Sequence, residues 1–535
     1  MPILINPDLI GNIGVITPSE IDSAQVTVGT EPSDQKKLRA LIERRHPCYE
    51  ENVEHWEFLE DTYEGGREWF EQNIFRYIKE GEKEYTDRVG RAYRFNHTRE
   101  VVDLVNKYLF KQNIQRNETD APASVVEFWK SATKNNVGIR DFARQISSKT
   151  SISGRIGIVI DRKSSGIAGA SVADEKKAGA KTYAYIVGPE QLLDYSYDED
   201  GMLNWALIEE HIRDDTDPIN SGGDEGIRWR LWTKNEWILF VEIKEGRKKI
   251  IRVADSGQHS LGVVPVILAD NMISNEPYEA SAMIDDIAYL DRATANYLSN
   301  LDAIIQDQTF SQLAMPAQGV LPGEDAYSKL LEMGTKRIFL FDGERGNVPF
   351  YLSPDPKQAE LILAAVNKII AEIYHTVGLA GERTRQDNAV STDNSSGVAK
   401  AFDFERVNAL LSAKADSVEL VENQMAYLVA LWNGEQAQMT PNLVAYPDNF
   451  DTRGLFDELD MAARLLLVDA PSLVRQTQMK DLGEKLFPQL PQGLRKKMES
   501  EIDSSWPPVM ASAGSSLQGN AAQSMLNNTG GQNAL

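Results

Sequence analysis

Two hydrophobic periods alternate along this chain and divide it into regions. Residues 32–115 have helical spacing. In NHTREVVDLVNKYLF, Val101, Val102, Leu104, Val105, Tyr108 and Leu109 recur at helical intervals, which draws one stripe along a 3.6-residue helix. PSDQKKLRALIERR opens another helix, with Ser33 as its expected N-cap. From about residue 155 the period shortens. RIGIVID, KTYAYIV, MLNWALIEEHI, IRWRLWT, EWILFVEI and KKIIRVA are short runs rich in β-branched and aromatic residues, as strands are. DEDG, TKN and EGR lie between them and are turn formers. The pattern predicts an antiparallel β region that closes near VVPVIL at 263–268. Helices followed by a sheet make an α+β unit, mainly helical once the second half is counted.

The helical period then returns at greater length. Over 277–307, Ala280, Met283, Ile284, Ile287, Leu290, Tyr297, Leu298, Leu301, Ile304 and Ile305 form one stripe. That predicts a helix of about 31 residues, roughly 46 Å long. Ile284, Ile287, Leu301 and Ile304 are its expected packing seam. Asp285, Asp286, Asp291, Asp302 and Asp307 face a single Arg292 and are expected on a solvated acidic face. A small mixed module follows at 309–354, with a short helix EDAYSKLLEMG and strands KRIFLF and VPFYLS joined by DGERGN. A second long helix is predicted over 355–379 and a third over 398–432. Between them lies GERTRQDNAVSTDNSSG, residues 381–397. A polar connection of that length between strong helices is usually functional or unstructured. Further helices are expected at 454–468, 472–487 and 493–503. Residues 1–31 lack a sustained period and read as an extended arm. Residues 506–535, rich in Ser, Gly, Asn, Gln and Ala, read as a disordered tail.

Composition narrows the function. A chain of 535 residues is expected to form two to four domains. No apolar run is long enough to predict a membrane span, and the first residues lack the basic and small-residue marks of a leader. The one cysteine, Cys48, excludes disulfides within the chain and suits a reducing compartment. The formal charge of −24 opposes tight binding to nucleic acid, which needs Lys and Arg to neutralise phosphate. Motifs for chemistry are scarce. There is no P-loop and no GxSxG, and none of the six histidines has zinc spacing. Gly154 and Gly157 precede a strand rather than a helix, which suits a tight turn and not a dinucleotide site. No cofactor and no metal site are expected. The alternative to a structural role is a metal-dependent nuclease using Asp285, Asp286 and Asp291.

The order of parts is informative. Two long helices bracket a small α/β module, and a polar loop then leads into a third, very long helix. With TSISGRIGIVID, EASAMIDDIAYLDRATANYLSNLDAII and SSGVAKAFDFERVNALLSAKADSVELVENQMAYLVALW, this order resembles the tailed-bacteriophage portal protein, the head-to-tail connector. The resemblance spans about 32–503. It implies an N-terminal arm (1–31), a wing (32–269), a first stem helix (270–308), a clip (309–354), a second stem helix (355–380), a tunnel loop (381–397), a long wing helix with its connection (398–454), a crown (455–505) and a tail (506–535). It further implies no enzymatic activity and a homo-oligomeric ring, of twelve subunits in this family, at one capsid vertex of a virion assembled in the host cytoplasm. The ring would conduct double-stranded DNA during packaging and ejection. Implied partners are the packaging ATPase (large terminase), adaptor and tail proteins, and the major capsid and scaffolding proteins, with no membrane. Residues 276–308 carry a net charge of −6. Around twelve copies this becomes about −72, a belt that repels phosphate and lets DNA slide. Arg383, Arg385, Gln386, Asn388, Ser391, Thr392 and Lys400 are the implied DNA or channel-loop residues. A different virion structural or accessory protein is the competing reading.

Overall fold

A computed structural model describes residues 32–162, 181–215, 217, 219, 221–245, 248–309, 312–316, 338–341, 348–352, 356–379, 397–435, 442–447, 450, 471–486 and 492–505. The chain folds as two units, one of residues 1–110 and 114–448, the other of 111–113 and 449–535. The fold is α+β and mainly helical.

The first unit opens with helices α1 (Pro32–Ile42), α2 (Tyr49–Glu64), α3 (Arg67–Asn73), α4 (Glu82–Arg91), α5 (His97–Leu109), α6 (Ala123–Lys130) and α7 (Ile139–Ser153). Ser33 lies inside α1 rather than capping it, because Pro32 already takes the first helical position. Asn96 caps α5 from a left-handed conformation, its side chain accepting from the Arg99 N–H at 3.0 Å.

The β region forms two antiparallel sheets. One joins β4 (Leu192–Tyr197), β5 (Leu203–Arg213), β6 (Glu225–Thr233), β7 (Glu236–Glu245) and β8 (Lys248–Gln258) in chain order. The other has the order β3-β2-β9, from β2 (Arg155–Arg162), β3 (Thr182–Val187) and β9 (Val266–Asp270). Successive residues of the larger sheet serve opposite cores, as a two-residue period requires. Leu207, Leu231, Ile238 and Ile251 pack with Ile42, Tyr49 and Trp56 of α1 and α2. Ala206, Ile208 and Trp232 pack with Val159, Val187 and Val266 of the smaller sheet. Where both faces are covered, the strand reads as a continuous apolar run, as at Ala206, Leu207 and Ile208. LLDYSY escaped detection as a strand because Asp194 interrupts it. That carboxylate is buried and accepts a hydrogen bond from Arg44 Nε at 2.9 Å.

A two-stranded pair, β1 (Gln115–Arg116) with β13 (Val444–Ala445), is also formed. The long elements of this unit are α8 (Asp285–Thr309), α9 (Pro356–Thr376) and α10 (Gly397–Trp432). Helices α8 and α9 pack together. Between them in the chain lies a small sheet of order β11-β10-β12, with β10 (Gln312–Pro316) parallel to β11 (Ile338–Phe341) and antiparallel to β12 (Phe350–Leu352). The second unit contains α11 (Ser472–Leu486) and α12 (Gln492–Ser505), which pack together and are tied by Lys480–Asp503 at 2.7 Å.

The expectation of a helix starting at 277 is corrected: α8 starts at Asp285. The backbone of 276–283 is engaged elsewhere. The carbonyls of Glu276 and Pro277 accept from Arg155 at 2.8 and 2.7 Å, and Met283 N–H donates to Ser151 O at 2.9 Å. The arm at 1–31, the short helix at 324–334, the turn at 342–347, the loop at 381–396, the helix at 454–468 and the tail at 506–535 lie outside the described residues.

Candidate functional site

The residues singled out in the sequence converge on α8, and the root of that helix decides where it stands. Helix α7 ends at Gly154, whose φ of +79° is left-handed and whose N–H donates to Thr150 O at 2.9 Å. A Cβ at this position would sit 1.9 Å from Ala280 O. Only glycine allows the approach to α8 to pass so close to the turn. Arg155 follows and makes a fork to Asp270 (Nε 2.6 Å, Nη2 2.9 Å) while it also holds the two carbonyls before α8. The Asp285 carboxylate completes the start. It accepts from Ala282 N–H at 2.8 Å, tying down the backbone just before the helix, and lies 3.0 Å from His55 Nε2.

The apolar seam is buried at Ile284, Ile287 and Leu301, and partly buried at Ile304. Tyr297 and Ile305, counted in the stripe, are exposed. The acidic face divides. Asp286 is exposed. Asp302 accepts from Arg91 Nε at 3.1 Å. The side chain of Asp307 lies outside the described residues.

Asp291 corrects the expectation of a uniformly solvated face: it is 0% exposed. Its Oδ2 accepts from Thr98 Oγ1 at 2.9 Å, Thr98 N at 3.3 Å and Arg94 Nη1 at 3.3 Å. Arg94 lies 3.8 Å from the centre of the Trp69 ring, and burial lowers its pKa despite the nearby carboxylate. The sequence did hold a signal. Asp291 stands at four residues from both Ile287 and Ala295, inside the apolar stripe, where a charge must be buried and paired.

Polar groups continue along α8. Asn296 accepts from Phe75 N–H at 2.9 Å and donates to Asn73 O at 2.9 Å. Arg88 donates to Ser299 Oγ at 3.0 Å and forks onto Glu80 at 2.7 Å through both contacts. That hydrogen-bonded pairing lowers the Glu80 pKa. Arg292 lies over the rings of Phe58, Tyr289 and Phe75. Helix α8 is therefore clasped along much of its length by α2–α5. From α9, Tyr374 donates to Glu100 at 2.5 Å and sits 3.1 Å from His97 Nδ1.

Sequence reasoning missed Lys414 altogether. It lies within α10, is 1% exposed, and donates to Thr150 Oγ1 and Asn271 Oδ1, each at 2.7 Å. Burial lowers its pKa far below the usual lysine value. Thr150 Oγ1 and Asn271 Oδ1 are the partners that offset its burial. Glu422 of the same helix is likewise buried, and Arg116 forks onto it at 2.8 and 2.9 Å.

Arg383, Arg385, Gln386, Asn388, Ser391 and Thr392 lie outside the described residues, and Lys400 falls in the first turns of α10 with its side chain outside them. Among the described residues no group of three His, Cys, Asp or Glu side chains is arranged to hold a metal ion. Asp285, Asp286 and Asp291, the trio of the nuclease alternative, do not converge: one caps the helix, one faces solvent and one is buried against Arg94. Among the described residues no helix is long and apolar enough to cross a membrane.

No protein-family model matches this chain, and no curated protein does. Among solved structures, a chain from the neck of an empty GTA particle computed with C6 symmetry is similar at a TM-score of 0.38 and 11% identity, covering 71% of this chain and 88% of that one. A chain from the neck of a native GTA particle computed with C12 symmetry gives 0.36 and 10%, covering 73% and 89%. Overlap at these TM-scores is too loose to specify a shared fold.

Proposed function

We propose that this chain is a structural subunit of a virion's head-to-tail connector, and specifically the portal subunit. One observation carries the reading. Within one folded unit, two long packed helices, α8 and α9, bracket a small three-stranded sheet whose central strand β10 begins just after α8, and a helix of 36 residues follows beyond a polar connection. An enzyme does not need this order. A ring subunit uses it to place a helix pair along an axis, a sheet at one end and a long strut behind.

In this reading residues 32–269 are the wing, α8 and α9 the stem, 309–354 the clip that docks the packaging ATPase and later the adaptor, 381–397 the tunnel loop, 398–454 the strut and its connection, and 455–505 the crown. The described α8 changes the electrostatic argument. Asp291 and Asp302 are paired with Arg94 and Arg91 within the subunit, so the belt of repulsive charge is weaker than a count of carboxylates gives. Among the described acids of α8, Asp286 is the exposed one. DNA contact falls to Arg383, Arg385 and the polar residues around them.

The test is electron microscopy of the purified protein with native mass alongside. The expected result is a closed ring of about twelve copies with an axial hole. A protein that stays monomeric with scaffold and shell protein present overturns the reading. Deleting residues 387–394 is expected to leave the ring intact and impair DNA packaging or retention. Loss of the ring on that deletion would make the loop structural instead.

A further inference from the structure

The smaller sheet ends in an open edge. Among the described residues, strand β9 pairs with β2 alone. The hydrogen bonds from Ile160 N to Pro265 O and from Asn271 N to Gly154 O fix the alternation. Residues 265, 267, 269 and 271 turn their backbone groups to β2, and Val266, Leu268 and Asp270 turn theirs away. Ser417 of α10 donates to Asp270 O at 2.6 Å. Among the described residues, the outward N–H and C=O of Val266 and Leu268 have no hydrogen-bond partner. They line a groove of about 820 Å³ between β9 and α10, walled by apolar side chains that include Leu203, Val264 and Leu428. Unpaired strand backbone beside an apolar trough is a template for an added strand.

We infer that residues 24–28 of a neighbouring copy's arm add as a strand to this edge. The segment is Ala-Gln-Val-Thr-Val. It is uncharged, lacks Gly and Pro, and puts Ala24, Val26 and Val28 on one face at a two-residue period. The same chain's segment is too short to reach. Helix α1 is tied to Ile251 of β8 through Gln35, which donates to its carbonyl at 2.8 Å and accepts from its N–H at 3.0 Å. Ile251 pairs with Glu242, one residue beyond the rung Val241–Arg228–Glu210, so that level corresponds to His211 of β5. Leu203 of the groove wall is eight residues along β5 and three strands over, about 31 Å away at standard spacings. Val28 to Pro32 spans at most about 14 Å, the first turn of α1 adds about 5 Å, and the Gln35 side chain with its hydrogen bond about 7 Å, which together fall short. The inference rests on the ring reading in requiring more than one copy.

The test is residue-resolved amide hydrogen exchange on the full-length assembled protein. Val266 and Leu268 report the added strand, while Ile267 and Ala269, bonded to β2, serve as internal references. Val26→Asp is expected to speed exchange at Val266 and Leu268 about tenfold or more and to leave Ile267 and Ala269 unchanged. Thr27→Pro, which removes an N–H from the incoming strand, is expected to do the same. Unchanged exchange at Val266 and Leu268 in rings confirmed by native mass overturns this inference alone. The same tenfold difference in a monomer fraction puts the arm in its own groove and overturns the exchange between copies. A wild-type protein that never self-associates overturns both this inference and the ring.

Discussion

Helices α8 and α9 pack on each other and bury comparable seams, Ile284 and Ile287 on one, Val366, Ile370 and Ile373 on the other. Their outer faces differ. That of α8 is engaged by Arg91, Arg94, His55 and the backbone of the α3–α4 connection. That of α9 leaves Leu361 72% and Leu363 45% exposed. The acidic helix is thus held by polar contacts within the subunit, although Tyr297 and Ile305 stay exposed, whereas α9 exposes leucines on its outer face. Polar pairs fix α8 in one position and register, because a misplaced buried charge costs far more than a misplaced leucine. The exposed leucines of α9 gain only when another surface covers them.

Asp291→Ala is the hardest blow to that asymmetry. It leaves Arg94 buried without its carboxylate and should destabilise the fold by about 3–5 kcal/mol. Urea or guanidinium unfolding at neutral pH measures it. Asp286→Ala on the exposed side of the same helix should stay within about 0.5 kcal/mol. Equal effects from the two substitutions would mean that the clasp on α8 does not hold it.

Asp291 also marks how far the sequence could be read. The helices, most strands and the seam at Ile284 and Ile287 follow from periodicity, since burial of apolar side chains sets that pattern. The root of α8 does not, because Pro277 and Met283 look helical until Arg155 and Ser151, over 120 residues upstream, claim their backbone. Strands β4 and β10 were also illegible, one broken by a paired Asp194 and the other only five residues long. At the candidate site, Arg94 and Thr98 are remote in sequence from Asp291, and nothing but its own place in the stripe announces the pairing.

A second, smaller effect comes through pH at the approach to α8. His46 stacks on Tyr278 with ring centres 5.7 Å apart, and burial holds its pKa down at about 4. The unfolded chain, near 6.5, binds the proton first. The contribution to stability is therefore complete above pH 6.5 and lost as pH falls from 6.5 towards 4. The loss is at most about 3 kcal/mol, since part of the ring's surroundings is polar. Unfolding curves at pH 7.5 and pH 5 should separate less in His46→Gln than in wild type. An unchanged separation would assign the acid sensitivity elsewhere.

Where α9 touches the clasp, it does so through the Tyr374 hydroxyl, which donates to Glu100. Tyr374→Phe removes that bond and keeps the ring packed, so it should cost about 1 kcal/mol. A loss as large as that of Asp291→Ala would make α9 as firmly fixed as α8 and erase the contrast.

The smallest effect on stability should be the most telling for assembly. Replacing Leu361 and Leu363 together with Ser removes exposed apolar surface, so the monomer's unfolding free energy should change by less than about 0.5 kcal/mol. If those leucines are covered in the assembled protein, Leu361, 72% exposed, would contribute about 1–2 kcal/mol to every contact and Leu363, 45% exposed, about 1 kcal/mol. A ring repeats the contact at every subunit, so a modest loss per interface becomes a large one over the closed assembly. Native mass of the double variant should then shift from ring to monomer at protein concentrations where the wild type stays closed. Rings of unaltered stability would show that the exposed face of α9 stays in water, and that the asymmetry between the two helices serves something other than the joint between copies.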